Sequence, residues 1–537
     1  MIETVKRDGI GRIAGGEHGL PFVDSIRTPS FLREDFSPSN SFPKVPYPIS
    51  AAELNDISAE GKYGAIYFGP DGLMKSHDAE IYWFPHLVEL IGDPSRLVDA
   101  VVNARELVGP VPLIYAPAVG KPNHLALLSY LGIDIFDTMP LRIAARKGLY
   151  IDENGEWEDE RDFEELFEHN VKSALRELDI VRKAIDNARL RDIAEMRSRS
   201  EPWLYAALRL ADEEHWRRFE VYESVRGKTV RYAGPEGITR PEVMRFKERV
   251  LERWRPRGEI LLLLPCSARK PYSRSRTHRR FRETLESIRG WGTVQEVILT
   301  SPMIMVPREL ERYYPAGHYD AAVRGKWDAI EMETIKGALE NLKRMGAFRH
   351  VIVHLPKDMD FVKDAMYGEW TAEGSVTSEK SMENLRNALE KALSDVRGES
   401  RKKRLLWTIQ TMVEFQFGIP GEEMVDSVKG RWPNMKGFLG GKQTVTFIED
   451  KGALSITTEG GKILAEKGIY RVFVGDFEIR GDIFAIGVES ADSEIREGDD
   501  VVIMQKNEPV AVGIADMSSV EMVQAKKGIG VRVRKRL

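Results

Sequence analysis

Cysteine is nearly absent from this 537-residue chain: Cys266 is the only one. A single thiol excludes an intramolecular disulfide and any zinc or iron–sulfur site built from several cysteines. Long apolar runs are missing as well. The longest, prolines included, is 110–119, against the ~20 residues of a membrane-spanning helix. The first residues, MIETVKRDGI, hold no apolar stretch of leader-peptide length. Neither sign of charge dominates, with 79 Lys and Arg against 84 Asp and Glu and a net charge of -5. The average therefore does not mark a nucleic-acid binder, and local asymmetry has to be read segment by segment. There is no phosphate-binding GxxxxGK[ST] loop, no GxGxxG after a strand and no HExxH pair. His350 and His354 fall in a strand pattern, where four residues span ~13 Å, too far to share one ion. These absences predict a cytoplasmic protein with no membrane partner, no cofactor and no protein-bound metal.

What is present is globular: 42% hydrophobic and 30% charged residues, long enough for three or four domains. Short apolar runs (64–69, 113–116, 133–136) alternate with helix-period segments (94–107, 124–131), which predicts an α/β domain with parallel strands. Residues 152–168 carry ten acidic residues and one Arg, read as a solvated helix face or loop. Helical periodicity follows to about 225. From about 248, apolar runs 259–264, 297–300 and 350–355 alternate with helical stretches 279–288 and 327–345. That β-α-β-α-β order predicts Rossmann-like layering. Gly346 is read as the C-cap of the second helix, Ser378 as the N-cap of a helix over 378–396, and 398–403 as a polar linker. The last seventy residues read as short strands and turns, the pattern of a small β-barrel. The expected domains are 1–247, 248–403, 404–467 and 468–537.

The densest chemistry is in 265–282, PCSARKPYSRSRTHRRFR, with seven Arg and Lys, no acid, one His and the only Cys. It follows an apolar run directly and so sits at the C-terminal end of a buried strand, the edge where open α/β sheets bind ligands. Nearby cations lower a thiol from its usual ~8.5. Arg269, Lys270 and His278 are therefore expected to favour a Cys266 thiolate that attacks an electrophilic carbon. His278 is a candidate proton shuttle, and Lys270 a candidate cation, acid–base group or phosphate anchor. Arg274, Arg276, Arg279 and Arg280 are candidate RNA contacts. At the other end, 522–537 holds Lys526, Lys527, Arg532, Arg534, Lys535 and Arg536 with no acid, a positive face suited to RNA phosphates.

Pro265-Cys266, Lys270-Pro271-Tyr272, Ser275 and His278 fix seven positions within fourteen residues. This pattern resembles the signature of the archaeosine synthase family, paralogues of archaeal tRNA-guanine transglycosylases. Residues 301–320 resemble the same core domain. Residues 132–150 resemble the transglycosylase segment that carries the aspartate nucleophile, and Asp137 falls on it. Residues 470–536 resemble a PUA domain, and 418–460 the small domain that precedes it. The resemblance implies an α/β multidomain chain: a transglycosylase-like, degenerate TIM-barrel-type N-terminal domain, a Rossmann-like α/β core, a small α+β domain and a C-terminal PUA β-barrel.

The resemblance also implies an activity. The family acts on tRNA carrying 7-cyano-7-deazaguanine at position 15 and converts its nitrile to an amidine. Cys266 would form a thioimidate, His278 or Lys270 would protonate its nitrogen, and Tyr272 and Ser275 would donate hydrogen bonds to it. The nitrogen donor is free lysine or glutamine. One thiol cannot serve both a glutamyl thioester and a thioimidate, which favours lysine, with a radical SAM enzyme completing archaeosine. A homodimer follows from the transglycosylase relatives. Base exchange is the alternative that Asp137 supports, opposed by the missing zinc cysteines and the missing Asp-Ser-Gly base motif. Asp137 then remains as a base-positioning carboxylate. A non-catalytic tRNA-binding protein is the third reading.

Overall fold

Prolines and glycines bracket the apolar runs of this chain, and most of those runs become short strands. The computed structural model describes residues 3–20, 23–27, 30–31, 63–69, 72–226, 229–322 and 325–537. The expected first domain thus includes 32–62, which lie outside the described residues. Two compact units emerge: 1–223 with 482–497 and 516–531, and 224–481 with 498–515 and 532–537. Among the described residues, no helix is long and apolar enough to cross a membrane.

The first unit is built on β1 (Ser30–Phe31), β2 (Tyr63–Gly69), β3 (Gly72–Lys75), β4 (Ile81–Trp83), α1 (Pro94–Val108), β5 (Leu113–Tyr115), α2 (Pro122–Leu131) and β6 (Ile135–Phe136). The strands lie in the order β1-β6-β5-β4-β2-β3, all parallel except the edge strand β3. Strands consecutive in the chain are neighbours from β4 to β6, and the early β1 pairs with β6. That is the progression of a barrel wall rather than of a doubly wound sheet. Asp93 caps α1 by accepting from Arg96 N, and Gly132 ends α2 in the left-handed conformation at φ 108°, which suits glycine. The acidic run divides between a hairpin (Leu149–Asp152 with Gly155–Glu158) and the start of a helix, Phe163–Asp186, and is largely solvent-facing.

Asp134, just before β6, is one of the buried charges of this unit. Arg12 Nε donates to it at 2.8 Å, Arg105 Nη2 at 2.7 Å and Ile114 N at 2.9 Å. Burial alone would raise its pKa, but the two guanidiniums hold it below the usual carboxylate range.

The second unit holds β7 (Val230–Tyr232), β8 (Ile260–Pro265), α3 (Arg276–Glu286), β9 (Val294–Thr300), β10 (Ile304–Pro307), β11 (Tyr319–Ala321), α4 (Ala329–Met345), β12 (His350–Val353), β13 (Glu369–Trp370), α5 (Glu379–Ser394) and α6 (Arg401–Phe417). Its main sheet runs β10-β9-β8-β12-β13, with β8 parallel to both β9 and β12. Every residue of β8 and β9 is buried, as expected for parallel strands covered on both faces. The chain goes from β8 to β9 on one side and later to β12 on the other. The C-terminal ends of β8 and β12 therefore form a topological switch point, where such sheets bind ligands. β7 and β11 pair in parallel as a separate ribbon.

Gly346 is the C-cap of α4 as read, in an extended rather than a left-handed conformation, φ -132° and ψ 140°. Two local expectations change. The expected linker 398–403 is already helical from Arg401, because Ser400 caps α6 by accepting from Lys403 N. α3 starts earlier than its periodicity suggests, because Ser275 caps it. Further on, a four-stranded antiparallel sheet (427–456) and the helix Thr458–Lys467 form the small α+β piece. Arg471–Val474 then pairs with Asp500–Gln505, which forms a hairpin with Glu508–Ala515. Lys506 and Asn507 both have positive φ there, as a two-residue turn requires.

Replacing Asp134 by Ala removes the carboxylate that two buried guanidiniums share. We expect a loss of about 3–5 kcal/mol, read as a lower denaturant midpoint of the transition that reports on the first unit. Arg105→Met together with Arg12→Met in the Asp134→Asn background is expected to restore part of it.

Candidate active site

The strand β8 ends at Pro265, and Cys266 is the next residue. Two anchors fix the loop that follows. Ser275 Oγ accepts from His278 N at 3.1 Å and so starts α3. His278, on the first turn, points back to the strand: its Nε2 lies 2.9 Å from Pro265 O and its Nδ1 2.9 Å from Arg308 Nη2. A guanidinium only donates, so Nδ1 accepts and Nε2 carries the proton to the carbonyl. Arg308 is held by Glu296 (Nε to Oε2, 2.8 Å) and Glu311 (Nη1 to Oε2, 2.8 Å). Burial and then the Arg308 charge push His278 well below its usual range, against the Pro265 carbonyl. The ring is neutral, buried and bonded through both nitrogens. The geometry thus corrects one expectation, since His278 holds strand to helix rather than shuttling protons, while the Ser275 oxygen accepts in the helix cap and keeps its own hydrogen.

At the switch point lies a cavity of about 130 Å³ whose walls include Cys266, Lys270, Thr300, Ser301, Tyr232 and Glu331. Burial raises the Cys266 thiol, with Lys270 and a hydrogen bond to Thr300 pulling the other way. Burial also lowers Lys270, opposed by Cys266 and Asp320. Lys270 Nζ sits 4.2 Å from the centre of the Tyr319 ring, a favourable place for a cation. Tyr272 is fully buried. Its hydroxyl meets Tyr319 Oη at 2.5 Å, which in turn meets Thr300 Oγ1 at 2.8 Å. Tyr272 thus reaches the cavity through Tyr319 and Thr300 and does not donate into it.

The expected cationic field does not converge on the thiol. Arg269, Arg276, Arg279 and Arg280 are exposed, and Arg280 donates to Thr377 O at 2.7 Å. Arg274 pairs with Glu449 at 2.8 Å, and Arg282 pairs with Glu286. Only Lys270 is left beside Cys266, so desolvation prevails over charge.

Asp137 belongs to the first unit, at the C-terminal end of β6. It accepts from Tyr115 Oη at 2.8 Å, Ala118 N at 3.1 Å and Met139 N at 3.0 Å. Burial raises its pKa against these three bonds. Lys526 and Lys527 are exposed and, with Lys75, border a groove of about 500 Å³ in that unit. In the second unit, Arg532 is exposed. Arg534, also exposed, pairs with the buried Asp500 at 3.0 Å and donates to Ile456 O at 2.5 Å.

Sequence reasoning missed Tyr232, Thr300, Ser301, Arg308, Tyr319 and Glu331. Thr300 and Ser301 had a usable signal, since they end a buried strand as Cys266 does. Tyr232 stands on a three-residue strand with no local signature.

Comparison with known proteins bears on both units. Residues 243–389 match a family model described as a domain of unknown function (DUF5591), and 461–537 match the PUA domain. A protein of Thermococcus kodakarensis named archaeosine synthase subunit alpha is 36% identical, covering 100% of both chains. One of the same name from Methanosarcina acetivorans is 32% identical and covers 93% of this chain and 87% of that relative. A tRNA-guanine(15) transglycosylase of Methanothermobacter thermautotrophicus is 25% identical, covering 82% of this chain and 68% of the relative. The C-terminal segment is a PUA domain, and the chain is transglycosylase-related.

Two measurements test the site's electrostatics. With one thiol in the chain, alkylation reports Cys266 alone. Its pH midpoint should lie above that of a free thiol and rise further in Lys270→Met. His278 has its folded pKa below its unfolded value of ~6.5. Below pH ~6.5 the unfolded chain gains a proton that the folded chain refuses, so stability falls as pH drops toward 5. Urea midpoints at pH 7.5 and 5.5 should show a smaller decline in His278→Gln than in the wild type.

Proposed function

The chain belongs to the archaeosine synthase family of tRNA-modifying enzymes, and from that membership we propose that it joins the side-chain amine of free lysine to the nitrile of 7-cyano-7-deazaguanine at position 15 of archaeal tRNA. The product is an amidine on the route to archaeosine. The observation that carries this reading is Cys266 and Lys270 on one cavity at the switch point of the second unit. Burial raises the thiol and lowers the ammonium, which narrows a gap of ordinarily about two pKa units and lets one proton pass between them.

Lys270 takes the thiol proton, and the sulfur bonds to the nitrile carbon. One C≡N electron pair moves to nitrogen, which takes the proton back from Lys270 and gives a thioimidate. The amine's lone pair then forms the C–N bond, the C–S bond breaks and the sulfur leaves with its pair. Splitting one addition into two lowers each barrier. Ammonium enters and amidinium leaves, so charge balances. Glutamine would first need hydrolysis by a second nucleophile, and the chain has one thiol.

Exposed Arg276, Arg279, Arg280, Arg532, Lys526 and Lys527 are our candidates for phosphate contact, and Asp137 for base positioning. The name subunit alpha borne by two relatives supports a second subunit, which we take to be a radical SAM enzyme acting on the lysine adduct. A homodimer and a cytoplasmic location complete the reading, as does the division 1–247, 248–403, 404–467 and 468–537.

Cys266→Ala is expected to abolish turnover of modified tRNA, and isotopically labelled lysine to appear in the nucleoside by mass spectrometry. Full turnover by Cys266→Ala would remove the covalent route. Label entering only from glutamine would remove the lysine donor.

A further inference from the structure

The cavity wall that holds no thiol carries a chain of hydrogen bonds with a single direction. Ser301 Oγ donates to Tyr232 Oη at 3.2 Å, and Tyr232 Oη donates to Glu331 Oε1 at 3.2 Å. All three residues line the cavity of Cys266. Glu331 is 2% exposed. Its other oxygen accepts from Asp328 N at 3.0 Å in the capping box of α4, where the helix dipole stabilises a negative charge. Burial pushes Tyr232 up to about 12, so at neutral pH it keeps the proton that it donates.

A serine hydroxyl has one hydrogen and two lone pairs. With its hydrogen turned to Tyr232, Ser301 offers lone pairs to whatever enters the cavity. On the opposite wall Cys266 then carries the thioimidate and Lys270 has already returned its proton to it. The Glu331 carboxylate at the end of the hydrogen-bond chain is the group left to take up a further proton.

We propose that Ser301, Tyr232 and Glu331 form a relay that seats the incoming primary amine and takes up its proton. This inference rests on the thioimidate reading of Cys266. A primary alkylamine is an ammonium at neutral pH, with an ordinary pKa near ~10.4, and its lone pair is unavailable until a proton leaves. Ser301 Oγ accepts one N–H. That proton passes to Ser301 as Ser301 passes its own to Tyr232 and Tyr232 to Glu331, which becomes a neutral carboxyl. The freed lone pair bonds to the thioimidate carbon, and the C=N pair moves to the former nitrile nitrogen. One N–H proton of the added amine follows it. The C–S bond then breaks, and the departing sulfur takes the proton stored on Glu331. Carboxylate and thiol are restored, and the product leaves as an amidinium. Ser301 touches the amine; Tyr232 and Glu331 act through it as positioning residues. Among the described residues, Asp358 and Lys326 are further charged side chains on the cavity wall.

Tyr232→Phe keeps the ring and removes both bonds. In the full-length enzyme with modified tRNA, kcat/KM for lysine should fall about 10²-fold, the low end of general acid–base effects. tRNA affinity and the yield of the Cys266–tRNA adduct formed without amine should stay as in the wild type. Trifluoroethylamine is already neutral at pH 7.5, so its rate should fall only slightly. Ser301→Ala, which has no part in the α4 cap, should repeat the pattern. Unchanged lysine kinetics in both variants would overturn the relay. So would equal losses for the two amines, because a packing defect does not discriminate between them. If the wild type forms no Cys266 adduct, the covalent reading falls, and the relay is still judged on the contrast between the two amines.

Discussion

The hydrogen bond from the Arg308 guanidinium to His278 Nδ1 is the constraint on which the geometry of the second unit's site depends. It decides the tautomer of the imidazole, and the tautomer decides that Nε2–H meets the carbonyl at the end of β8. Glu296 and Glu311 neutralise Arg308, since an unpaired buried guanidinium would not persist. Glu311 does more than that. Its Oε2 accepts from Ser273 N at 2.9 Å, so the loop between β8 and α3 is tied at both ends to one charge network. Cys266 and Lys270 sit on that tied loop. The motif therefore divides its labour: Tyr272, Ser275 and His278 hold the backbone, and Cys266 and Lys270 face the cavity.

A basic sequence did not produce a basic site, and helix geometry explains why. Side chains on a helix separate by face. In α3 the buried positions are His278, Phe281, Thr284 and Leu285, while Arg276, Arg279 and Arg280 turn to solvent. Residues adjacent in sequence to Cys266 are thus remote from its sulfur. What reaches the sulfur is desolvation, the Lys270 side chain, the Thr300 hydroxyl and its own backbone amide, with Asp358 opposing ionisation. A preformed thiolate needs a cation, a metal or a helix N-terminus whose pull outweighs desolvation. A thiol raised and an amine lowered by the same dry environment instead form an acid–base pair that ionises together. Such a pair suits a nitrile, whose nitrogen needs a proton as its carbon receives sulfur.

Local features of the chain were legible where one segment decides its own structure. The strands β2, β5, β6, β8, β9 and β12 stand where apolar runs stood, α4 and α5 where periodicity put them, and Ser378 caps α5. The switch point and the strand-end position of Cys266 followed from the order of those segments. Pairwise outcomes were not legible. The role of His278 was fixed by Arg308, thirty residues away. The pairing of Arg534 with Asp500, far apart in the chain, had no local signal either. Tyr232 comes from a three-residue strand that exists because β11 pairs with it, and no window around either strand carries that signal. Periodicity alone also did not foretell that Glu331, inside an ordinary helix start, both caps α4 and borders the cavity.

Each unit places a reactive residue where a parallel strand ends, Asp137 after β6 and Cys266 after β8, and their surroundings argue for different work. Both Asp137 oxygens accept hydrogen bonds, from a tyrosine and from two backbone amides. To attack a sugar carbon, the carboxylate would give up bonds that offset its burial. Held as it is, it has a fixed orientation and suits recognition of N–H groups on a base edge. Cys266 has a lighter hold, bonds to Thr300 and to its own backbone amide with the field of Lys270, and a sulfur that must form and break a bond in each cycle needs that freedom. In our reading, this difference in how firmly two strand-end residues are held assigns the covalent step to the thiol and leaves the carboxylate to orient a base.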